Sequence, residues 1–218
     1  QVEGRKDWPI GLVNPGNEEK KRIAVTTKDL LGQMPHPDVA KAVDEAAKQL
    51  EDLGHEMVLV DGGTGVAPTF YDDFIILWGQ SVVPIVQAAE KMSGKPARES
   101  GLLEGWTMDL AEKFQEMSDE RVALGMKRLT QGGRQINQWL SNYDAWLTPS
   151  AASPAPKLGW TRGDLPYAQN LERSANLVAH FSLHNVAGTP GISLPWGQSG
   201  GLPIGIQLSG PIGGERAL

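Results

Sequence analysis

The chain has 218 residues, a formal net charge of −6 and no cysteine, and these numbers already exclude several classes of protein. Without cysteine there is no disulfide scaffold, no thiol nucleophile and no cysteine-bound zinc. The mild acidity argues against a nucleic-acid partner, and no apolar run reaches the ~18 residues of a membrane-spanning helix, so we expect no membrane partner either.

Hydrophobic patterning predicts alternating strands and helices in the first third of the chain. Residues 1–21 are polar and rich in glycine and proline, so they are predicted to form a linker or surface arm. Small and β-branched residues predict a strand at Arg22–Thr27. Apolar residues then recur every three or four positions over Val39–Leu53, which indicates one face of a helix. A second strand is predicted at His55–Asp61, which completes a βαβ-type unit.

The rest of the chain continues this alternation. The predicted helices cover residues 68–92, 106–117, 118–140 and 170–186. The predicted strands cover residues 145–150, 191–196 and 204–209. Pro84 is expected to kink or divide the helix at 68–92. Gly132 and Gly133 each weaken the helix at 118–140 by about 1 kcal/mol. Asn170 caps the last helix and Gly188 ends it. We therefore predict an α/β fold, a mixed β-sheet covered by helices.

Two glycine-rich segments resemble catalytic motifs only in their letters. The segment Gly197–Gly201 matches the G-x-S-x-G nucleophile elbow, which requires a strand followed at once by a helix. Another strand-like segment follows here, so we interpret these residues as a polar hairpin turn. The segment Gly62–Gly65 lacks the spacing and the Gly-Lys-Ser/Thr ending of a phosphate-binding loop, so we interpret it as a turn.

His180 and His184 lie four residues apart on one predicted helix, so both imidazoles can face the same way. A zinc hydrolase would need a glutamate after the first histidine, but Phe181 occupies that position and no third histidine follows. We therefore expect no metal, and interpret the pair as packed at a helix interface or lining a pocket. Spacing alone identifies no Ser-His-Asp, Cys-His or paired-carboxylate set.

Several segments carry a family resemblance. Tyr143–Ser150, followed by Pro154–Gly159, resembles the YDxxLTP…PAPxLG segment of the amidase signature family. Asn185–Pro195 looks like that family's NxxGxPxxSLP segment, and Gly201–Leu208 is similar to its GLPIGVQL strand. The unit from Arg22 to His55 resembles RIAV…HPDV…LGH of the same family. The order and spacing of these segments agree over nearly the whole chain.

The resemblance implies a serine hydrolase of amide bonds that uses a Ser–cis-Ser–Lys triad and no cofactor. One serine attacks the carbonyl, the other relays protons, the lysine is the base, and backbone amides hold the oxyanion. The family's lysine and Gly-Gly-Ser-Ser-Gly-Gly stretch lie upstream of the segments matched here, and the 218 residues contain no Gly-Gly-Ser-Ser. We therefore assign no catalytic residue to this chain.

By the same resemblance, residues 22–218 are expected to be the C-terminal portion of one amidase-like domain, a layered α/β/α fold. The chain begins with Gln1 and not with methionine, which agrees with a piece of a longer protein. Its expected partners are the N-terminal half of the same amidase and a small-molecule amide substrate. Proximity to the motifs predicts five substrate-binding residues, although buried Trp and Phe are as commonly core residues: Trp78, Thr148, Ser150, Phe181 and Asn185.

The predicted function is hydrolysis of a linear or cyclic amide by the completed protein, with this chain inactive alone. Two alternatives stay open, a non-catalytic binding or assembly module on the same scaffold, and part of an A-type subunit of a tRNA-dependent amidotransferase. We expect a cytoplasmic location. Expressed alone, the chain is expected to expose strand edges and apolar surface and to associate, including with its own copies.

Overall fold

The computed structural model describes residues 19–60, 66–178 and 180–218. Within these ranges the strands are β1 (Arg22–Val25), β2 (Glu56–Leu59), β3 (Ala145–Pro149), β4 (Gly191–Ser199) and β5 (Leu202–Ser209). The helices are α1 (Pro37–Asp52), α2 (Phe70–Ser93), α3 (Ala97–Ser100), α4 (Gly105–Gln115), α5 (Asp119–Leu140), α6 (Tyr167–Val178) and α7 (Phe181–Ala187). Most of the predicted arm at 1–21, and the predicted turn Gly62–Gly65, lie outside the described residues.

The strands form one sheet in the order β2-β1-β3-β5-β4. β1 pairs in parallel with β2 and β3, whereas β5 is antiparallel to both β3 and β4. The sheet is therefore mixed, and the prediction of an α/β fold with helices covering a mixed sheet is confirmed. Among the described helices, none combines the length and the apolar character needed to cross a membrane.

Two hydrophobic layers cover the two faces of this sheet. Because successive strand residues point to opposite faces, Leu147 packs toward α1 and its neighbour Trp146 packs toward α5 and α7. The buried residues on the α1 face are Ile23, Val25, Val43, Ala46, Ala145, Leu147, Ile206 and Leu208. Those on the opposite face are Ala24, Phe70, Leu129, Ile136, Leu140, Trp146, Leu183 and Ala187.

The predicted hairpin between β4 and β5 is present, but its turn is shorter than the predicted Gly197–Gly201, because Gly197–Ser199 belong to β4. Gly200 and Gly201 connect the strands with φ values of 56° and 82°, a conformation that favours glycine at both positions. Ser199 is the last residue of β4, and its hydroxyl donates to Asp38 at the start of α1. No helix follows it, so the rejection of a nucleophile elbow is confirmed.

Two details of the helical predictions are wrong. Residues 170–186 do not form one helix, because α6 ends at Val178 and α7 begins at Phe181. His180 lies between them, where its imidazole packs edge-on against Trp146 with ring centroids 5.4 Å apart. Asn170 does not cap a helix but lies inside α6, where its side-chain amide donates to the Arg162 carbonyl at 2.9 Å.

Other helix boundaries agree more closely with the sequence. Ser118 caps α5 by accepting a hydrogen bond from the backbone N–H of Arg121 at 3.3 Å. Gly188 ends α7 in the left-handed conformation, with φ of 67°. Pro84 does not divide α2, which runs unbroken past it to Ser93. The short helix α3 was not predicted.

The adjacent glycines of α5 provide a matched test of helix packing. A Cβ on Gly133 would lie 3.0 Å from the Val186 carbonyl oxygen in α7, whereas one on Gly132 would make ordinary contact with Phe70 at 3.4 Å. We expect Gly133→Ala to lower the free energy of unfolding by about 1–3 kcal/mol. Gly132→Ala is expected to leave it unchanged or raise it by up to about 1 kcal/mol, through helix propensity. Urea unfolding of both variants measures this, and equal effects would contradict the packing of α5 on α7.

Candidate functional site

An apolar pocket of about 440 Å³ opens between α2, α6 and α7. It brings together three of the five predicted substrate-binding residues, because Trp78 of α2 and Phe181 and Asn185 of α7 all line it. Trp78 is partly buried, while Phe181 and Asn185 are exposed. The structure therefore places these three residues around one cavity. Their role in binding substrate stays a prediction.

Helical periodicity explains why each wall of the pocket is continuous. The lining residues of α2 include Tyr71, Phe74, Ile75 and Trp78, and those of α6 are Leu171, Ser174, Ala175 and Val178. In both helices the spacing is three, four and seven residues from the first position, which corresponds to one helical face. The two faces meet at α7, which closes the third side.

An aromatic cluster forms the wall of the pocket at Trp78. The rings of Trp78 and Trp106 meet edge to face with centroids 4.9 Å apart, and Trp106 stacks near Tyr167 at 6.4 Å. Phe74 lies 6.3 Å from Trp78 on the same helix. Trp106 also donates its indole N–H to the Tyr167 carbonyl at 3.4 Å. These contacts between α2, α4 and α6 restrict the indole of Trp78 to a defined orientation.

The described residues that line the pocket carry no formal charge near neutral pH. None of them is an aspartate, glutamate, lysine, arginine or histidine. Burial raises the pKa of the Tyr71 phenol, so this group stays protonated. The Tyr71 hydroxyl donates to the Ala175 carbonyl at 3.3 Å, which joins α2 to α6 across the pocket floor. The pocket is thus an uncharged, mainly carbon-lined cavity.

Thr148 and Ser150, the other two predicted substrate-binding residues, lie on or beside β3 and outside this pocket. Thr148 is fully buried within the sheet. The Ser150 hydroxyl is hydrogen-bonded to that of Ser193 on β4, at 2.7 Å, and so reaches across the intervening β5. Gly205 of β5 allows this, because a Cβ there would lie 2.9 Å from the Ser150 oxygen. The two hydroxyls form a cross-strand bridge near the β4 edge.

His180 and His184 both pack against one buried indole. Both imidazole centroids lie 5.4 Å from that of Trp146. His184 also makes hydrogen bonds to the Thr189 hydroxyl at 2.8 Å and to the Ser209 hydroxyl at 3.3 Å. Burial lowers the pKa of each histidine to about 4, so both are neutral at pH 7. In the described ranges no three His, Asp or Glu side chains are grouped to hold a metal ion.

Comparison with known protein families identifies the family to which this chain belongs. The Amidase family model matches residues 12–218. The chain belongs to the amidase family. This amidase chain is 32% identical over 214 residues to the protein named "Putative amidase AmiC" of Mycobacterium tuberculosis, an alignment that covers 96% of the chain and 44% of the relative. It is also 29% identical to the A-type subunit of the glutamyl-tRNA(Gln) amidotransferase from Staphylococcus epidermidis, with 93% and 44% covered.

A solved structure of 6-aminohexanoate cyclic dimer hydrolase in complex with its substrate has the same fold as this amidase chain. The TM-score is 0.78 at 24% identity, and the match covers 93% of this chain and 44% of the other. The amidase chain therefore spans less than half the length of the relatives it matches.

Sequence reasoning did not identify most of the pocket of the amidase chain. Tyr71, Leu171 and Ser174 line it but were not among the predicted residues, and Trp106 supports it from α4. Helical periodicity could have identified Tyr71, Leu171 and Ser174, because it places them on the same helix faces as Trp78 and Ala175. Which two faces meet depends on tertiary packing, so the repeat alone does not identify the pocket.

Proposed function

We propose that this chain is the C-terminal part of an amidase that hydrolyses the C–N bond of a carboxylic amide. The family match over residues 12–218 is the observation that carries the proposal, and the pocket bounded by Trp78, Phe181 and Asn185 supports it. In this proposal the chain provides scaffold and one part of the substrate pocket. The serine pair and the lysine implied by the family resemblance belong to an N-terminal half, which is the chain's main partner.

The β4 edge supports pairing with such a half. Within the described residues β4 pairs only with β5, and its nine residues, Gly191–Ser199, contain no charged side chain. An exposed, uncharged strand edge is a ready template for a further strand. The opposite edge strand, β2, has only four residues. We therefore place the junction with the N-terminal half at β4, beside the Ser150–Ser193 bridge.

The residues of this chain bind and orient the amide in this proposal, and they do not attack it. The indole of Trp78 and the ring of Phe181 pack against the apolar part of the substrate. The side-chain amide of Asn185 can donate to a carbonyl oxygen and accept from an amide N–H. A serine from the N-terminal half then attacks the carbonyl, which requires an adjacent base and donors aimed at the oxyanion. Holding the amide beside that serine is the contribution of this chain.

The uncharged pocket favours a small-molecule amide over a tRNA-linked substrate. A charged substrate would leave its ionic groups without partners among the described lining residues, and burying an unpaired ion is costly. The alternative of a non-catalytic assembly module differs in one testable respect. It requires no reactive serine anywhere in the assembled protein.

Labelling with a serine-directed phosphonate tests the proposed function. When the chain is completed by the N-terminal half of its own gene, we expect one adduct on a serine outside these 218 residues, located by mass spectrometry of proteolytic fragments. The control is the 218-residue chain alone, which is expected to remain unlabelled, including at Ser199 in the hairpin. A complete gene product without an upstream lysine and serine pair, or without any adduct, would contradict the proposal.

A further inference from the structure

We propose that the pocket between α2, α6 and α7 selects an uncharged apolar group of the substrate, aryl or branched alkyl, about the size of a substituted phenyl ring. This inference rests on the proposed function and adds to it the class of amide that the site accepts. The cavity of about 440 Å³ lies within the range of small-molecule pockets, which is roughly 300–1,000 Å³.

The chemistry of the lining is the first argument. Phe74, Leu77, Trp78 and Leu171 present carbon surface to the cavity. The polar lining groups are hydroxyls and one amide, which can hydrogen-bond a neutral ligand but cannot neutralise an ion. A carboxylate or ammonium in this cavity would lose its hydration without gaining an opposite charge. Neutral ligands are therefore favoured over ionic ones of the same shape.

The charged residues next to the lining positions are the second argument, because none of them belongs to the pocket wall. Asp73 of α2 is buried and pairs with Arg121 of α5 at 2.8 Å. Arg173 of α6 lies over the ring of Trp160 at 4.5 Å and donates to its carbonyl at 2.7 Å. Glu172 is exposed and is not among the lining residues. These three side chains and the exposed Asp72 thus lie outside the lining, where a charged ligand would need a partner.

The exposed side of the pocket is the third argument. Phe181 is 50% exposed and Val178 is 36% exposed, so an apolar ligand gains by covering both of them. Asn185, one helical turn after Phe181, is also exposed. An apolar group inserted among the rings therefore leaves its amide beside the Asn185 side chain. This arrangement orients the scissile bond outward, toward a nucleophile that this chain does not supply.

Three para-substituted benzamides, one neutral, one anionic and one cationic, test the selectivity by NMR titration of the 218-residue chain: 4-tert-butylbenzamide, 4-carboxybenzamide and 4-(aminomethyl)benzamide. We expect the neutral amide to bind at least about tenfold more tightly than either ion. Ser174→Asp, which adds a carboxylate to the lining, is expected to weaken the neutral amide about tenfold. The matched control is Asn176→Asp, which adds the same carboxylate at an exposed position of α6 outside the lining and is expected to change nothing.

A second variant keeps the test decisive if Ser174→Asp does not fold. Phe181→Ala removes a half-exposed ring, and we expect it to weaken the neutral amide several-fold while the amide spectrum of the core stays unchanged. Equal affinities for the three benzamides, or an unchanged affinity of Phe181→Ala for the neutral amide, would contradict the proposed selectivity of the pocket for neutral apolar groups.

Hydrolysis of the same amides by the chain completed with its N-terminal half separates this inference from the proposed function. Binding of the neutral amide without hydrolysis would overturn the proposed function and support the pocket assignment. Hydrolysis with equal kcat/KM for all three amides, unaffected by Ser174→Asp, would overturn the pocket assignment and support the proposed function. We expect hydrolysis of the neutral amide, with kcat/KM reduced about tenfold in Ser174→Asp.

Discussion

Replacing Trp146 with alanine is expected to lower the free energy of unfolding by roughly 3–5 kcal/mol, the usual cost of deleting a large buried aromatic side chain. Trp146 is 1% exposed and is the second residue of β3. Its ring meets that of Trp139 edge to face at 4.9 Å, and the imidazoles of His180 and His184 pack against it. Its indole N–H donates to the hydroxyl of Thr26, the residue after β1, at 3.0 Å, and the variant also loses this bond.

Urea unfolding followed by circular dichroism measures this cost against a matched control. Trp160 is 46% exposed, and its main partner is the guanidinium of Arg173. We expect Trp160→Ala to cost about 1 kcal/mol or less, as an exposed cation–π contact does. Similar costs for the two variants would contradict the position of Trp146 in the core.

The stability of the chain is expected to fall as the pH is lowered from about 6.5 to about 4, because His180, which is buried, and His184, which is partly buried, are neutral in the folded chain. Burial lowers the pKa of each histidine from 6.5 to about 4. The unfolded chain therefore binds protons at a higher pH than the folded chain does. The stabilisation is complete above pH 6.5, and roughly 3 kcal/mol per histidine is lost by pH 4. Below that pH the folded chain is protonated as well, and these two groups cause no further loss.

Urea unfolding at pH 7, 5.5 and 4.5 isolates this effect when two variants are compared. His184→Gln is expected to remove about half of the fall in stability with pH, because one of the two buried imidazoles is gone. His55→Gln removes a partly exposed histidine that is not one of the two beside Trp146, so the full fall in stability with pH is expected to remain. The same pH dependence in both variants would show that the histidines flanking Trp146 do not cause it.

The elements of the sheet were predictable because each strand carries a short, local pattern. Residues 23–25 and 145–147 are short apolar runs typical of a buried strand, and Gly200 with Gly201 favours the hairpin turn. The break between α6 and α7 was not predictable. At the break, the imidazole of His180 packs against Trp146, which lies in a distant part of the sequence, and local propensity does not include such contacts.

The candidate site was predictable to a smaller extent, for the same reason. Trp78, Phe181 and Asn185 were selected by their nearness to family motifs, and the structure brings them to one cavity. Thr148 and Ser150 were selected by the same criterion, yet they lie in and beside β3, where strand alternation and the space at Gly205 determine their contacts. Nearness in sequence to a motif therefore does not separate residues of the pocket from residues of the sheet.

Protection from phosphonate labelling tests most directly the central claim, that the pocket of this chain and a serine of the N-terminal half form one site. The rate of adduct formation in the completed protein is measured with and without saturating 4-tert-butylbenzamide. We expect the neutral amide to slow labelling of the upstream serine, and Ser174→Asp to raise about tenfold the amide concentration that gives half-maximal protection. Labelling at an unchanged rate, under conditions where the chain binds the amide, would contradict the claim.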